Sequence, residues 1–488
     1  MSDKHAIIDI GSNTVRLVVY DGPSRAPAVL LNEKVTAKLG KDVARDGLLS
    51  EKAKGIALSA LARYAALLKL MSVRDIEVVA TAAARDARNG PEFLNAVRCI
   101  GLKPRLLTGE EEALTSAMGV LAAFPGARGI AGDLGGGSLE LTELKGDHAE
   151  HGISLPYGTL RLPDLRAQGA AKFTRDVHAS LREARWSSGS GVPFYLVGGS
   201  WRALARYAMH KLDWPLDDPH GYELAPEDAL AICRQVARGK LDADLPRISS
   251  SRLASLPEAA ALLGALVREI GPEKLVFSSW GLREGLLYRK LDPTTRAQDP
   301  LLASVAGFAD NFGVSAAQAT MIAEWTADVS PRCEGRDETL RLAATMLAQA
   351  AMQIEPNLRA ETAMSWALRK RWIGVDARGR AMLAAAILAN AGITEWPAEL
   401  ARLATSADLR EATGWGLAIR LCRKLTGCTA EAIGNSALRP EEGRLRVTVR
   451  EPMHALYSNA IGKDHRLLAD WFDLEPMVEL LPEKALLG

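Results

Sequence analysis

Two stretches of this chain share one pattern, and that pattern leaves few folds open. Near the start, Ala6-Ile-Ile-Asp9-Ile-Gly11-Ser12-Asn13-Thr14-Val-Arg16-Leu-Val-Val sets an apolar run and a carboxylate ahead of a small polar turn and a second apolar run. Further on, Gly129-Ile-Ala-Gly-Asp133-Leu-Gly135-Gly136-Gly137-Ser138-Leu-Glu140-Leu-Thr142 repeats it, with three consecutive glycines in the turn. Laid one on the other, Asp9 meets Asp133, Gly11 meets Gly135, and Thr14 meets Ser138. Each stretch predicts a strand, a turn and a strand. One such turn is an ordinary hairpin feature. Two matched copies predict two halves facing each other across a cleft, each supplying one anion-holding loop. Glycines reach positive φ without steric cost and carry no Cβ, so several backbone N–H groups can converge on one phosphate. An Asp at the strand end can hold a hydrated metal ion beside it.

The rest of the first 295 residues alternates strands with helices, which predicts two α/β units. Ser50 caps an Ala/Leu-rich helix running to about Met71. Ile76 to Thr81 reads as a buried strand leading into Arg85 and Arg88, and sheets of this kind place ligand contacts at strand ends. Lys103 to Thr108 is a short strand, followed by the helix start Gly109-Glu110-Glu111-Glu112-Ala113. Carboxylates in a first turn oppose the helix dipole, but these also sit where a base for water activation would project into the cleft. Ile153 to Leu162 offers a polar turn with one cation, Arg161. Pro193 to Val197 leads into Gly198-Gly199-Ser200, either an anion-binding helix start or a tight turn. Lys274 to Ser278, followed by Gly281-Leu-Arg283-Glu284-Gly285, repeats the strand-glycine-helix order.

Beyond Thr295 the texture becomes Ala-, Leu- and Arg-rich and helical, with no glycine turn of this kind. Six of the ten tryptophans lie there, Trp325, Trp366, Trp372, Trp396, Trp415 and Trp471, as packing anchors. Arg444 to Arg450 is a strand-like exception. Arg369-Lys370-Arg371 and Arg420 with Arg423-Lys424 read as solvated helix faces, or as a track for a polyanion.

Sixty basic against fifty-nine acidic side chains leave a formal charge of +1, so any polyanion site is a local patch and nucleic acid is not an expected partner. Five scattered cysteines, Cys99, Cys233, Cys333, Cys422 and Cys428, form no Cys-x-x-Cys pair and fit a reducing compartment. Eight dispersed histidines suggest no transition-metal site. Without a signal-peptide pattern or a bilayer-length apolar run, the expectation is a cytoplasmic protein with no membrane partner.

Six motifs in order, Asp9-Ile-Gly-Ser-Asn-Thr14, Ala80 to Asn89, Gly109-Glu-Glu-Glu112-Ala, Asp133-Leu-Gly-Gly-Gly-Ser138, Gly198-Gly-Ser200 and Gly281-Leu-Arg-Glu-Gly285, resemble the exopolyphosphatase and guanosine pentaphosphate phosphatase family of the actin-like ATPase superfamily. The resemblance implies two actin-like, ribonuclease H-like α/β domains, at 1-125 and 126-295, followed by an all-helical C-terminal domain, mainly helical over 296-488. It implies Glu112 as the catalytic carboxylate, with Glu111 as the fallback, and Mg²⁺ held by Asp9 and Asp133. Ser12, Asn13, Thr14, Gly135, Gly136, Gly137, Ser138, Gly198 and Ser200 would cradle phosphates. Arg85 would contact substrate phosphate, with Arg16 a further candidate. Asp464-His465 reverses the order of the metal-binding pair that some members carry in a helical domain, so a second hydrolytic site is not expected there. The implied activity is exopolyphosphatase, releasing orthophosphate from inorganic polyphosphate in a likewise implied homodimer. The alternatives are a phosphatase converting guanosine pentaphosphate to tetraphosphate and a non-hydrolytic sensor of polyphosphate or alarmone. An actin-like filament or a sugar kinase fits less well.

Overall fold

The computed structural model describes residues 4–186, 190–241, 248–330 and 335–482. Two units divide at Pro300.

The first unit holds two sheets built to one plan. In the first, β1 (His5–Ile10), β2 (Val15–Asp21), β3 (Ala28–Val35), β4 (Asp75–Ala80) and β5 (Pro104–Leu106) lie in the order β3-β2-β1-β4-β5. The second contains β6 (Arg128–Leu134), β7 (Leu139–Lys145), β8 (Ala149–Leu155), β9 (Phe194–Val197), β10 (Glu223–Leu224) and β11 (Leu275–Phe277), in the order β10-β11-β9-β6-β7-β8. Read from the other edge, β8-β7-β6-β9-β11 repeats the first sheet strand for strand, with antiparallel hairpins on one side and parallel pairing on the other. Among the parallel-paired strands, β9 and β11 are short apolar runs buried at every residue, as helix-covered strands are, whereas β5 at the edge of its sheet is largely exposed.

The two halves exchange their covering helices. Helix Gly109–Ala123 follows the first sheet in sequence, but its Ala117, Val120 and Leu121 pack with Ala131, Leu144 and Val197 of the second. Helix Leu282–Lys290 follows the second sheet, and its Leu286 and Leu287 pack on Ile7, Val18, Tyr20 and Val79 of the first. The helices cross at glycines. A Cβ on Gly285 would overlap the Thr115 carbonyl, and one on Gly119 would overlap the carbonyl of Gly281. Arg289 to the Thr115 hydroxyl (2.9 Å) pins the crossing, and Tyr20 on β2 donates to Glu284 (2.8 Å), tying the second helix to the first sheet. Helix Glu51–Leu70 begins where the sequence predicts, although the Ser50 side chain makes no capping bond.

The second unit is mainly helical. Helix Ala377–Ala391, buried along nearly its whole length, packs against helix Ser406–Thr426, whose Trp415 is fully buried, as is Trp372. A three-stranded sheet, β12 (Ser436–Glu441), β13 (Arg444–Arg450) and β14 (Glu475–Leu481) in the order β12-β13-β14, is added to these helices, and β13 is the strand-like exception read from the sequence. Asp464 accepts from Arg420 (2.8 Å) and Lys424 (2.6 Å), which ties up two of the cations considered for a polyanion track. His465 is buried between the Tyr457 hydroxyl and the Leu445 carbonyl, a structural role. Cys99, Cys233, Cys422 and Cys428 are free thiols, and Cys333 lies outside the described residues.

Within a helix, replacing glycine by alanine normally gains about 1 kcal/mol. At Gly285 the overlap with Thr115 should reverse that sign, so Gly285→Ala should cost about 1–3 kcal/mol, read as a lower melting temperature in calorimetry; an unchanged or raised value would show that the crossing relaxes freely.

Candidate active site

The duplicated plan brings the two turns together. Asp9 is the penultimate residue of β1 and Asp133 of β6. Each turn closes identically, Gly11 N–H to the Thr14 carbonyl at 3.0 Å and Gly135 N–H to the Ser138 carbonyl at 3.0 Å. Each also has its carbonyls taken from behind. Lys38 and Gly40 N–H groups bond the carbonyls of Asn13 and Ser12, and those of Thr159 and Leu160 bond Gly135 and Gly136. Among the described residues, the N–H groups of Ser12, Asn13, Gly136 and Gly137 donate to no backbone acceptor, which leaves them to an anion. The second turn packs against the first so closely that a Cβ on Gly137 would come within 2.6 Å of the Ser12 Oγ.

Between the turns lies a cavity of about 160 Å³, several times the ~30 Å³ share of one liquid water. Asp9, Ser12, Asn13, Thr14, Glu112, Asp133, Gly135 to Ser138 and Gly198 line it. Gly198 has φ 112°, and a Cβ there would strike the Leu134 carbonyl, so this sharp turn into helix Gly199–Lys211 requires glycine. Ser200 is buried behind the lining and accepts a hydrogen bond from Arg252 (3.1 Å). Arg85 reaches the site through Glu112, donating to its Oε2 at 3.1 Å and to the Leu107 carbonyl at 3.2 Å.

The three glutamates at the start of helix Gly109–Ala123 divide by geometry. Glu111 accepts from the Thr108 N–H (2.9 Å) while the Thr108 hydroxyl accepts from the Glu111 N–H (3.1 Å), a capping box. Glu111 is half-exposed, pairs with Arg105 and does not line the cavity, so the fallback role read for it is not one its position serves. Glu110 does not line it either. Glu112 does, with only 12% of its side chain exposed.

Burial sets the electrostatics. It raises Glu112 from the ordinary value near 4.5 to about 7, against the pull of Arg85. Burial likewise raises Asp9 and Asp133, and each is opposed by Arg283, while Asp133 adds to the rise at Asp9. The Ser116 hydroxyl donates to Asp133 at 2.5 Å. Glu140, in the opening motif but given no role by sequence reasoning, is a fourth carboxylate here. It is pushed well up by burial and then by Glu112 and Asp133. Arg283 was also quoted without a role. It is a buried cation lining the cavity, and neighbouring Glu284, Asp9 and Asp133 outweigh the burial that would otherwise weaken its charge. Arg16, Arg202 and Arg252 line the cavity too.

The donor set suits a hard cation. Among the described residues no three His, Cys, Asp or Glu side chains converge as a complete metal cage. Two mutually repelling carboxylates beside open N–H groups match a hydrated divalent ion held by one or two carboxylates and completed by substrate phosphate.

A family model described as the Ppx/GppA phosphatase family matches residues 18–294. The chain belongs to this family. Exopolyphosphatase 1 of Mycobacterium tuberculosis is 28% identical to this Ppx/GppA member over 303 residues, 59% of this chain and 88% of its own. Guanosine-5'-triphosphate,3'-diphosphate pyrophosphatase of Pseudoalteromonas translucida is 27% identical, over 65% of each chain. Retrograde regulation protein 2 of Saccharomyces cerevisiae is 29% identical over 255 residues, and the match spans only 43% of that protein. Among solved structures, an exopolyphosphatase from Cytophaga hutchinsonii superposes with a TM-score of 0.51 at 22% identity, over 58% of this chain and 96% of its own, and so shares the fold.

A carboxyl group whose proton is held more tightly in the fold stabilises the protein fully below about pH 4.5, and that contribution is lost as the pH rises through about 7. Glu112→Gln fixes the uncharged form. With chelator present, the variant should match wild type in stability near pH 4.5 and exceed it by ~2 kcal/mol at pH 8, read from paired melting curves; equal curves at both pH values would show that Glu112 is not held in a desolvated site.

Proposed function

We propose that the chain is an exopolyphosphatase that hydrolyses the terminal phosphoanhydride of inorganic polyphosphate. The observation that carries this is one cavity in which two outward-turned glycine loops face a buried glutamate of raised proton affinity. In-line hydrolysis needs a water aligned with the terminal phosphorus, a base for its proton and positive charge on the equatorial oxygens. Glu112 is the base. Arg85 holds its carboxylate in place, and the other oxygen is left to take the proton of the attacking water. The new O–P bond forms as the bridging P–O bond breaks, and the shortened chain leaves as the anion. The free N–H groups of the two turns, with Arg283, cradle the phosphoryl oxygens. Asp9 and Asp133 would hold Mg²⁺, which when bound supplies further positive charge to those oxygens. Among the described residues no aromatic side chain lines the cavity, so these residues offer a guanine no stacking face.

The second reading, guanosine pentaphosphate hydrolysis, is favoured by the similarity to the Pseudoalteromonas enzyme. A binding protein that does not hydrolyse is disfavoured, because a sensor has no use for a glutamate kept desolvated at the cleft. The proposal extends to a cytoplasmic homodimer, and light scattering at twice 52.4 kDa would support the dimer.

Phosphate release from long-chain polyphosphate and from guanosine pentaphosphate, with Mg²⁺ and with chelator, tests the reading. Polyphosphate should be the better substrate, chelator should abolish turnover, and Glu112→Gln should lower kcat by about 10²- to 10⁴-fold. Full activity in the variant would remove Glu112 from the mechanism, and preference for the nucleotide would move the chain to the second reading.

A further inference from the structure

The connection between β2 and β3 carries an arginine that the active-site cavity does not use. Arg25 is only 2% exposed, and among the described residues no carboxylate bonds it. Its Nε donates instead to the main-chain carbonyls of Arg296 (3.3 Å) and Gln298 (3.1 Å), at the end of the short helix Pro293–Ala297. Arg296 makes the matching contact one helix earlier. Its Nε donates to the Tyr288 carbonyl at 3.2 Å and its Nη2 to that of Arg289 at 2.6 Å, in the last turn of helix Leu282–Lys290. Both guanidinium groups lie over the Tyr288 ring, 5.2 and 5.5 Å from its centre. Two helix ends are thus each closed by an arginine, a donor for their last carbonyls and the charge that a C-terminal dipole favours, and one aromatic ring attracts both cations. Burial weakens the charge of Arg25, and its Nη1 is enclosed without a protein acceptor among the described residues. A cavity of about 10 Å³, bounded by Arg25, Tyr288 and Glu284 among others, has room for one water there. An apolar side chain would fill such a place at lower cost, so packing alone does not account for an arginine.

The helix that Arg296 closes is the one that covers the first sheet and brings Arg283 into the active-site cavity. Its start is fixed by Glu284, which accepts from the Gly281 N–H (3.0 Å) and from Tyr20. Its other end depends on Arg296, and Arg296 on Arg25. We propose that Arg25 is a positioning residue: it clamps residues 292–298 to helix Leu282–Lys290 and thereby holds Arg283 in place against the two glycine turns. Release of this segment opens the last turn of the helix and lets Arg283 drift from the phosphoryl oxygens. The same segment carries the chain on towards the second unit, so the support of the active site includes the chain's exit from its own unit. The positioning role rests on the hydrolytic reading of the cavity; the clamp does not.

Limited trypsin digestion of the full chain tests the clamp. The bond after Arg296 has its carbonyl held by Arg25, so wild type should be cut there slowly. Arg25→Met, similar in length and uncharged, should speed that cut about 10- to 100-fold through loss of a charged hydrogen bond that closes the segment, while cuts within helix Glu51–Leu70 keep their wild-type rates. Arg25→Lys should fall between the two, since an ammonium has no planar fork for two carbonyls. Tyr288→Leu should act like Arg25→Met and Tyr288→Phe like wild type, which keeps the clamp testable if Arg25→Met folds poorly. With tripolyphosphate as substrate, Arg25→Met should lower kcat by up to about 100-fold with KM changed less, as displacement of Arg283 requires, and Arg25→Lys should restore part of the loss. A faster cut with unchanged kcat would overturn the positioning role. An unchanged cut at Arg296, or one that speeds only together with every other cut in the unit, would overturn the clamp. Should wild type hydrolyse nothing, calorimetric binding of tripolyphosphate replaces the rates: weaker binding by Arg25→Met supports the positioning of Arg283, and equal binding removes it.

Discussion

Four carboxylates, Asp9, Glu112, Asp133 and Glu140, share one cavity, and the fold is organised around keeping them there. Burial raises the proton affinity of every one of them. Such a group of acids is tolerated only where the surroundings hold it rigidly and leave room for compensating positive charge. Arg283 supplies some of that charge from within, Arg85 grips Glu112, and Ser116 steadies Asp133. The rest is left to the phosphate-holding N–H groups and to whatever cation accompanies the ligand. Gathering these acids therefore carries an electrostatic cost that positive charge brought with a ligand would offset.

Rigidity comes from backbone hydrogen bonds. Each glycine turn is closed by its own bond and braced from behind by a following loop, through Lys38 and Gly40 in one half and Thr159 and Leu160 in the other. That bracing turns the carbonyls away from the cavity and the N–H groups toward it. The glycines matter less for freedom of φ here than for lack of bulk. Gly136 and Gly137 lie directly on Ser12, Asn13 and Ala82, and any side chain at these positions would hold the two halves apart.

Much of this could be read in the sequence, because it is local. The paired turns, the aspartates ahead of them and the strand-to-helix order at Gly198 are each set by a few neighbouring residues, and residues 9 to 14 and 133 to 138 occupy equivalent places in the two sheets. The family resemblance already ranked Glu112 above Glu111, but the physical reason shows only in three dimensions, since whether a first-turn glutamate caps its helix or faces a cleft depends on how the helix is rotated. Glu140 and Arg283 were in view but carried no spacing rule to mark them. Arg16 was a candidate from its motif, whereas Arg252 comes from a distant part of the chain and reaches the cavity through its packing on Gly199. The exchange of helices was likewise invisible, because an apolar helix face does not reveal which sheet it will cover.

That exchange has a consequence for how the molecule can be taken apart. Helix Gly109–Ala123 belongs by sequence to the half whose sheet it leaves, and helix Leu282–Lys290 does the same in reverse. A gene cut between codons 125 and 126 would therefore yield two fragments, each with a sheet face whose cover is encoded in the other. Neither would behave as a free-standing domain, yet together they would be complementary, and the crossing of Gly119 with Gly281 and Gly285 would be the seam along which they rejoin. The internal duplication thus produces two interdependent halves instead of two modules in a row.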